Sequence, residues 1–176
     1  MTTKPDIRRC HDKPSWMELE KYYRKAVKRI RIPPDLSARD ILRINSEIDY
    51  LFGDARFDFN YARTMYERYK ERFSLAKKQA MLSFKEVPRD RGMARITAED
   101  REALVLTHLE NKILPGMKDP LIPGLEKWRE RKMFMEAVID QLDRKSGMMI
   151  NGNGALKLES SGHGDWAGKK PRDDDE

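Results

Sequence analysis

"ILRINSEIDYLFGDARFDFNYARTMYERYKERFSLAKKQA", residues 41–80, decides the fold. Its apolar positions are Ile41, Ile44, Ile48, Leu51, Ala55, Phe59, Ala62, Tyr66, Tyr69, Phe73, Ala76 and Ala80. They recur every three or four residues as a heptad stripe, with one four-residue stutter near Gly53–Phe59. That period puts every one of them on the same face of an α-helix, and no strand-like alternation competes with it. The stretch predicts a long heptad-patterned helix over 37–85, or a helix pair in series with a kink at Gly53. Glycine in a helix costs only about 1 kcal/mol relative to alanine, so both outcomes stay open. Ser37 marks the start, with Asp40 near the positive end of the helix dipole.

The neighbouring segments read as further helices. In "PSWMELEKYYRKAVKRIRIPP", residues 14–34, Ser15 is placed as the cap and Glu18 completes a capping box. Trp16, Leu19, Tyr23, Val27 and Ile30 share one face, and Pro33-Pro34 stop a helix over 15–32. "KEVPRDRGMARI", 85–96, is a breaker-rich connection. Thr97 and Asp100 open a helix over 97–114 through Leu104, Leu106, Leu109 and Ile113. "LPGMKDPLIPG", 114–124, is expected as a loop because its three prolines oppose a helix. A last helix over 124–146 buries Trp128, Met135, Val138, Ile139 and Leu142 and ends at Gly147. The expected fold is all-α and elongated. A flexible basic N-terminus (1–14) precedes a helical domain (15–150), and a Gly/Ser-rich, charged tail (151–176) is expected to be disordered.

Composition agrees. Charged residues make up 38% of the 176 and mean hydropathy is −0.83, more than a sandwich or doubly wound sheet carries. The net charge of +6 sits at one end. Residues 1–34 hold ten Lys or Arg against Asp6, Asp12, Glu18 and Glu20, and the remaining chain is neutral. Such an arm meets phosphate or an acidic partner; a merely soluble Lys-rich helix is the plainer reading. Cys10 is the single cysteine, so no internal disulfide forms and a reducing compartment is expected. With no signal-peptide core and no run of about 18 apolar residues, the chain reads as cytoplasmic with no membrane partner.

Catalytic chemistry finds little support. His11, His108 and His163 are scattered, none at metal-ligand spacing, and no Walker-type glycine loop is present. "NGNG", 151–154, lacks the lysine of a phosphate cradle and reads as a linker. No enzyme and no cofactor are expected.

Binding chemistry finds more. The first helix carries Lys21, Arg24, Lys25, Lys28 and Arg29 away from its apolar face. Arg56, Arg63, Lys70 and Lys77 recur every seven residues beside the long stripe. In a parallel coil their partners would be Asp58, Met65, Arg72 and Gln79, only one of them acidic. The row is thus open to an outside anion or to acids from another helix. Tyr66, Tyr69 and Phe73 lie on the stripe and read as core, whereas Tyr61 lies off it and is the candidate free ring. These cations and Tyr61 form a candidate DNA-binding set that grips the backbone without reading sequence, with affinity set by counterion release. Nothing resembles a helix-turn-helix or a zinc finger.

Residues 110–150, "ENKILPGMKDPLIPGLEKWRERKMFMEAVIDQLDRKSGMMI", resemble the UvsY-type recombination mediators of tailed bacteriophages. The resemblance runs through a short helix, a loop and an amphipathic helix with Trp128. Ile139-Asp140, the Arg144-Lys145-Ser146 cluster, Gly147 and the Met148-Met149-Ile150 triplet follow. It covers about a quarter of the chain. It implies a small helical protein that forms rings, binds single-stranded DNA and helps a recombinase displace single-strand-binding protein in the host cytoplasm. Trp128, Met135, Ile139, Leu142 and Met149 are then the candidate face for homo-oligomerisation. Two other readings stand beside it. One is a coiled-coil structural protein, such as a phage morphogenesis factor, without DNA binding. The other is a small packaging or transcription adaptor on duplex DNA. The end "KKPRDDDE" reads as solvated rather than as an acidic lure.

Overall fold

The computed structural model describes residues 3–34, 36–86 and 97–162. Four α-helices follow one another: α1 (Lys13–Arg29), α2 (Ala38–Glu86), α3 (Ala98–Glu110) and α4 (Leu121–Gly162). A 3-10 turn, Ile7–Arg9, precedes them, and no strand occurs among the described residues. The fold is all-α, as the heptad stripe requires. Helix α2 runs 49 residues without a break at Gly53. Nothing lies within 4 Å of where a Gly53 Cβ would be, and Ile48, Leu51 and Ala55 on either side are buried. Their burial outweighs the small helical penalty of one exposed glycine.

The chain divides into two compact units, and both α2 and α4 contribute to each. The first comprises residues 1–55 and 138–176. Its buried residues are Leu19, Tyr23, Val27 and Ile30 from α1 and its end, Ile44, Ile48, Leu51 and Ala55 from α2, and Val138, Leu142 and Met149 from α4. The cap of α1 is Asp12, not Ser15: the Asp12 carboxylate accepts from the Ser15 backbone N–H at 3.0 Å. Pro14 explains the shift, since a residue without an N–H fits the first helical turn and moves the start upstream. The stretch 1–14, expected to be flexible, holds the 3-10 turn capped by Asp6 and buries Ile7 and Cys10. Bonds from the Arg8 side chain and backbone N–H pull the Asp6 carboxyl down to about 2. Lys4 adds an ion pair to Asp54 at 3.3 Å. Helix α1 stops at Ile30, whose carbonyl accepts from the Lys145 ammonium at 2.6 Å. A cation is favoured at that negative helix end.

The second unit comprises residues 56–137. Thr97 and Asp100 open α3 as expected, and they do so as a capping box; the helix ends at Glu110 with Asn111 as its cap, short of 114. Val105 and Leu109 are buried with Ala76, Ala80 and Leu121, and Phe73, Phe84 and Met117 pack around them. Leu114 to Met117 make a type II turn, with Pro115 second, Gly116 third at φ +76°, and Met117 N–H donating to Leu114 O at 3.0 Å. Helix α4 starts at Leu121 rather than 124, so the loop expected over 114–124 is shorter than its prolines implied. Pro123 is its third residue, where the missing N–H would have had no intrahelical partner. Gly124 lies against the Tyr69 ring: a Cβ there would stand 2.1 Å from Tyr69 Cε1, so no side chain fits.

At its far end α4 does not stop at Gly147 and continues to Gly162. Residues 151–162, expected within a disordered tail, are helical. Glycine ends helices by adopting a left-handed conformation, and Gly147 does not; Met149 beyond it is buried and holds the next turn in place. The connection 87–96, and 163–176 with "KKPRDDDE", lie outside the described residues.

Candidate nucleic-acid interface

Burying Leu19, Tyr23 and Val27 turns the opposite face of α1 outward. That face presents Lys21, Arg24, Lys25 and Lys28, all exposed, spaced i, i+3, i+4 and i+7 over about 10 Å. Lys21, Lys25 and Lys28 make no ion pair among the described residues. Arg24 bonds Glu20 at 2.6 Å and Arg29 bonds Glu47 at 2.6 Å. Both guanidinium side chains stay about two-thirds exposed, at 69% and 68%. The bond to Glu47 holds the Arg29 pKa above its ordinary range. Arg31, just past the helix, is exposed and also makes no ion pair among the described residues.

The row on α2 fares differently. Lys77 pairs with Glu102 of α3 at 2.5 Å, which lowers the Glu102 pKa. Lys70 sits 3.8 Å from Glu67 and 6.0 Å from the Tyr66 ring centroid. Arg56 is exposed but engaged within the chain. Arg63 is exposed and makes no ion pair among the described residues. The row is therefore no continuous open track. Lys70 has its acid one turn away on α2, and Lys77 has its acid on α3, a partner that a heptad count along one helix does not contain.

Rings on the stripe are packing residues. Tyr69 is buried, its hydroxyl bonded to the Asp119 carboxylate at 3.3 Å. Burial, ahead of the Asp119 charge, raises the Tyr69 pKa. Phe73 packs on the core, and half-buried Tyr66 has the Lys132 ammonium 5.7 Å from its centroid. Tyr61, the expected free ring, is not free: it is half-buried and meets Trp128 edge-on at 5.8 Å. Its place beside the stripe is covered by α4, which the α2 pattern alone cannot show.

The expected oligomerisation face is also internal. Trp128, Met135, Leu142 and Met149 are fully buried within one chain and Ile139 is half-buried. The Arg131 guanidinium lies over the Trp128 ring, 4.8 Å from its centroid. Large apolar residues that do face outward include Leu42, Tyr50, Leu75, Leu82, Met133, Met148 and Ile150.

The interior placement of three charged residues was not read from the sequence. Asp58 (1% exposed) continues the buried run Leu51, Ala55, Asp58, Ala62. Arg131 (2% exposed) falls between Trp128 and Met135, and Lys145 between Leu142 and Met149. A charge at an apolar stripe position was the available signal, because it must be satisfied inside the protein. Among the described residues no cluster of His, Cys, Asp or Glu is placed to hold a metal ion, and no helix is long and apolar enough to cross a membrane. Comparison with protein-family models, with curated proteins and with solved structures finds no match to this chain.

Proposed function

We propose that this protein binds single-stranded DNA through the outer face of α1 and acts as a recombination mediator, helping to load a recombinase onto DNA covered by single-strand-binding protein. One observation carries the binding: Lys21, Lys25 and Lys28 stand exposed on one helix face without an ion pair among the described residues. A polyanion there releases small ions without first breaking an internal salt bridge. The mediator role rests on the resemblance of residues 110–150. Self-association belongs to the same proposal, through outward residues such as Leu75 and Leu82 rather than the buried Trp128 set.

Titrating a fluorescent oligonucleotide across a salt series tests the binding. The expected plot of log affinity against log salt is linear, with a slope of about −0.7 for each phosphate neutralised. An excess of duplex competes poorly. Absence of binding at low salt, or affinity indifferent to salt, overturns the reading; effective competition by duplex favours the adaptor reading.

A structural, coiled-coil assembly role is the second reading, and the Lys70–Glu67 and Lys77–Glu102 pairs favour it. In these two pairs, cations of α2 are held by acids of the same chain, while Leu75 and Leu82 face outward. Concentration-dependent assembly without any oligonucleotide binding is its signature.

A further inference from the structure

Tyr50 is a large aromatic side chain that the fold leaves bare beside the basic helix. It is 68% exposed on α2, within the first unit. Its position follows from the contacts around it. Glu47 lies three residues earlier on the same helix face, one turn away, and accepts from Arg29 Nε at 3.1 Å and Nη2 at 2.6 Å. Tyr22 lies two turns before Arg29 on α1, so the Tyr22–Arg29 edge of α1 runs along the Glu47–Tyr50 edge of α2. The Tyr22 hydroxyl agrees: its pKa is raised by burial first, then by the nearby Asp54 and Tyr50. Tyr50 therefore stands on the flank of the face that carries Lys25 and Lys28.

We infer that Tyr50 is a base-stacking platform: a nucleobase of the bound single strand lies on its ring while the strand's phosphates meet the α1 cations. The inference deepens the proposed function and rests on it. Charge around the ring gives the strand one direction to lie. Glu47 is neutralised by Arg29, and Asp54 by Lys4 at 3.3 Å. Asp49, exposed and without an ion pair among the described residues, repels phosphate from the α2 side. On α2 itself Arg43, two turns before Tyr50, is held 3.7 Å from Asp40. The phosphates therefore meet the lysines of α1 that make no ion pair among the described residues, and the base is left with the ring. An aromatic ring accepts every base, since each presents a π-face, which suits binding without sequence preference. Duplex DNA keeps its bases stacked inside and gains nothing from the ring.

The test compares Tyr50→Ala, Tyr50→Phe and the natural chain on an ordinary oligonucleotide and on an abasic one of equal length. Tyr50→Ala is expected to weaken binding of the ordinary strand by about fivefold to about a hundredfold, the range of one base–aromatic stack. The salt slope stays unchanged, because the ring releases no ions. Tyr50→Phe keeps the natural affinity, and the abasic strand binds the natural chain and Tyr50→Ala alike. An exposed ring leaves helicity unaffected, which circular dichroism records. If the natural chain binds in a salt-dependent way and Tyr50→Ala binds equally well, the platform is wrong while the proposed function stands. If Tyr50→Ala loses as much affinity for the abasic strand, the ring is not stacking on bases. If the natural chain binds neither strand, the proposed function and the platform fall together.

Discussion

Reversing Lys21, Lys25 and Lys28 together to glutamate lowers affinity for a single-stranded oligonucleotide by about a hundredfold or more at low salt, and flattens the salt slope by about 2. The slope follows from the count: three phosphate contacts removed at about 0.7 each. The affinity loss is larger than simple removal would give, because three attractions become repulsions on one helix face. The fold is retained, at a cost of about 0.3–1 kcal/mol for an acid in place of Lys28 in the last turn of α1. The three side chains are exposed, the Asp12 cap and the Ile30–Lys145 bond are elsewhere, and the buried face of Leu19, Tyr23 and Val27 is unchanged. Lys77→Glu is the control. It sets two carboxylates face to face where Lys77 now holds Glu102, so it loosens α3 against α2 and leaves oligonucleotide affinity nearly constant. A triple variant that binds as well as the natural chain, by fluorescence anisotropy, removes α1 as the interface.

Trp128→Ala has the largest expected effect on stability, about 3–5 kcal/mol in denaturant unfolding. The indole is fully buried, its ring stacked by the Arg131 guanidinium at 4.8 Å and met edge-on by Tyr61 at 5.8 Å. Alanine loses the transfer energy of the ring and leaves a cavity between α2 and α4 within the second unit. It also strips one wall from Arg131, itself 2% exposed, so a buried cation loses part of its surroundings. An interfacial tryptophan behaves otherwise: its alanine variant keeps the folded state and lowers only the assembled mass. Unfolding curves read beside light scattering separate these outcomes. Unchanged stability with a smaller assembly would return Trp128 to the subunit interface.

These two predictions show where one sequence was legible. The stripe from Ile41 to Ala80 carries its period in the residues themselves, so α2 was readable nearly to its ends. Ser37 and Thr97, each followed by an aspartate three residues on, were readable as helix starts for the same local reason. What was not readable depended on a second element. Helix α4 covers Tyr61, α3 brings Glu102 to Lys77, and Met149 carries α4 past Gly147. Each outcome is a tertiary contact overriding a local preference. The candidate site divides in the same way. The α1 face was legible because one helix builds it, whereas Tyr50 became a candidate only when α2 was seen beside α1.

Lysine acylation, with and without a saturating oligonucleotide, reads the interface residue by residue by mass spectrometry. Lys21, Lys25 and Lys28 are expected to lose most of their reactivity when the strand is bound, and Lys70 and Lys127 to keep theirs. An oligonucleotide held at saturation while those three α1 lysines react at the rate of the free protein contradicts the account.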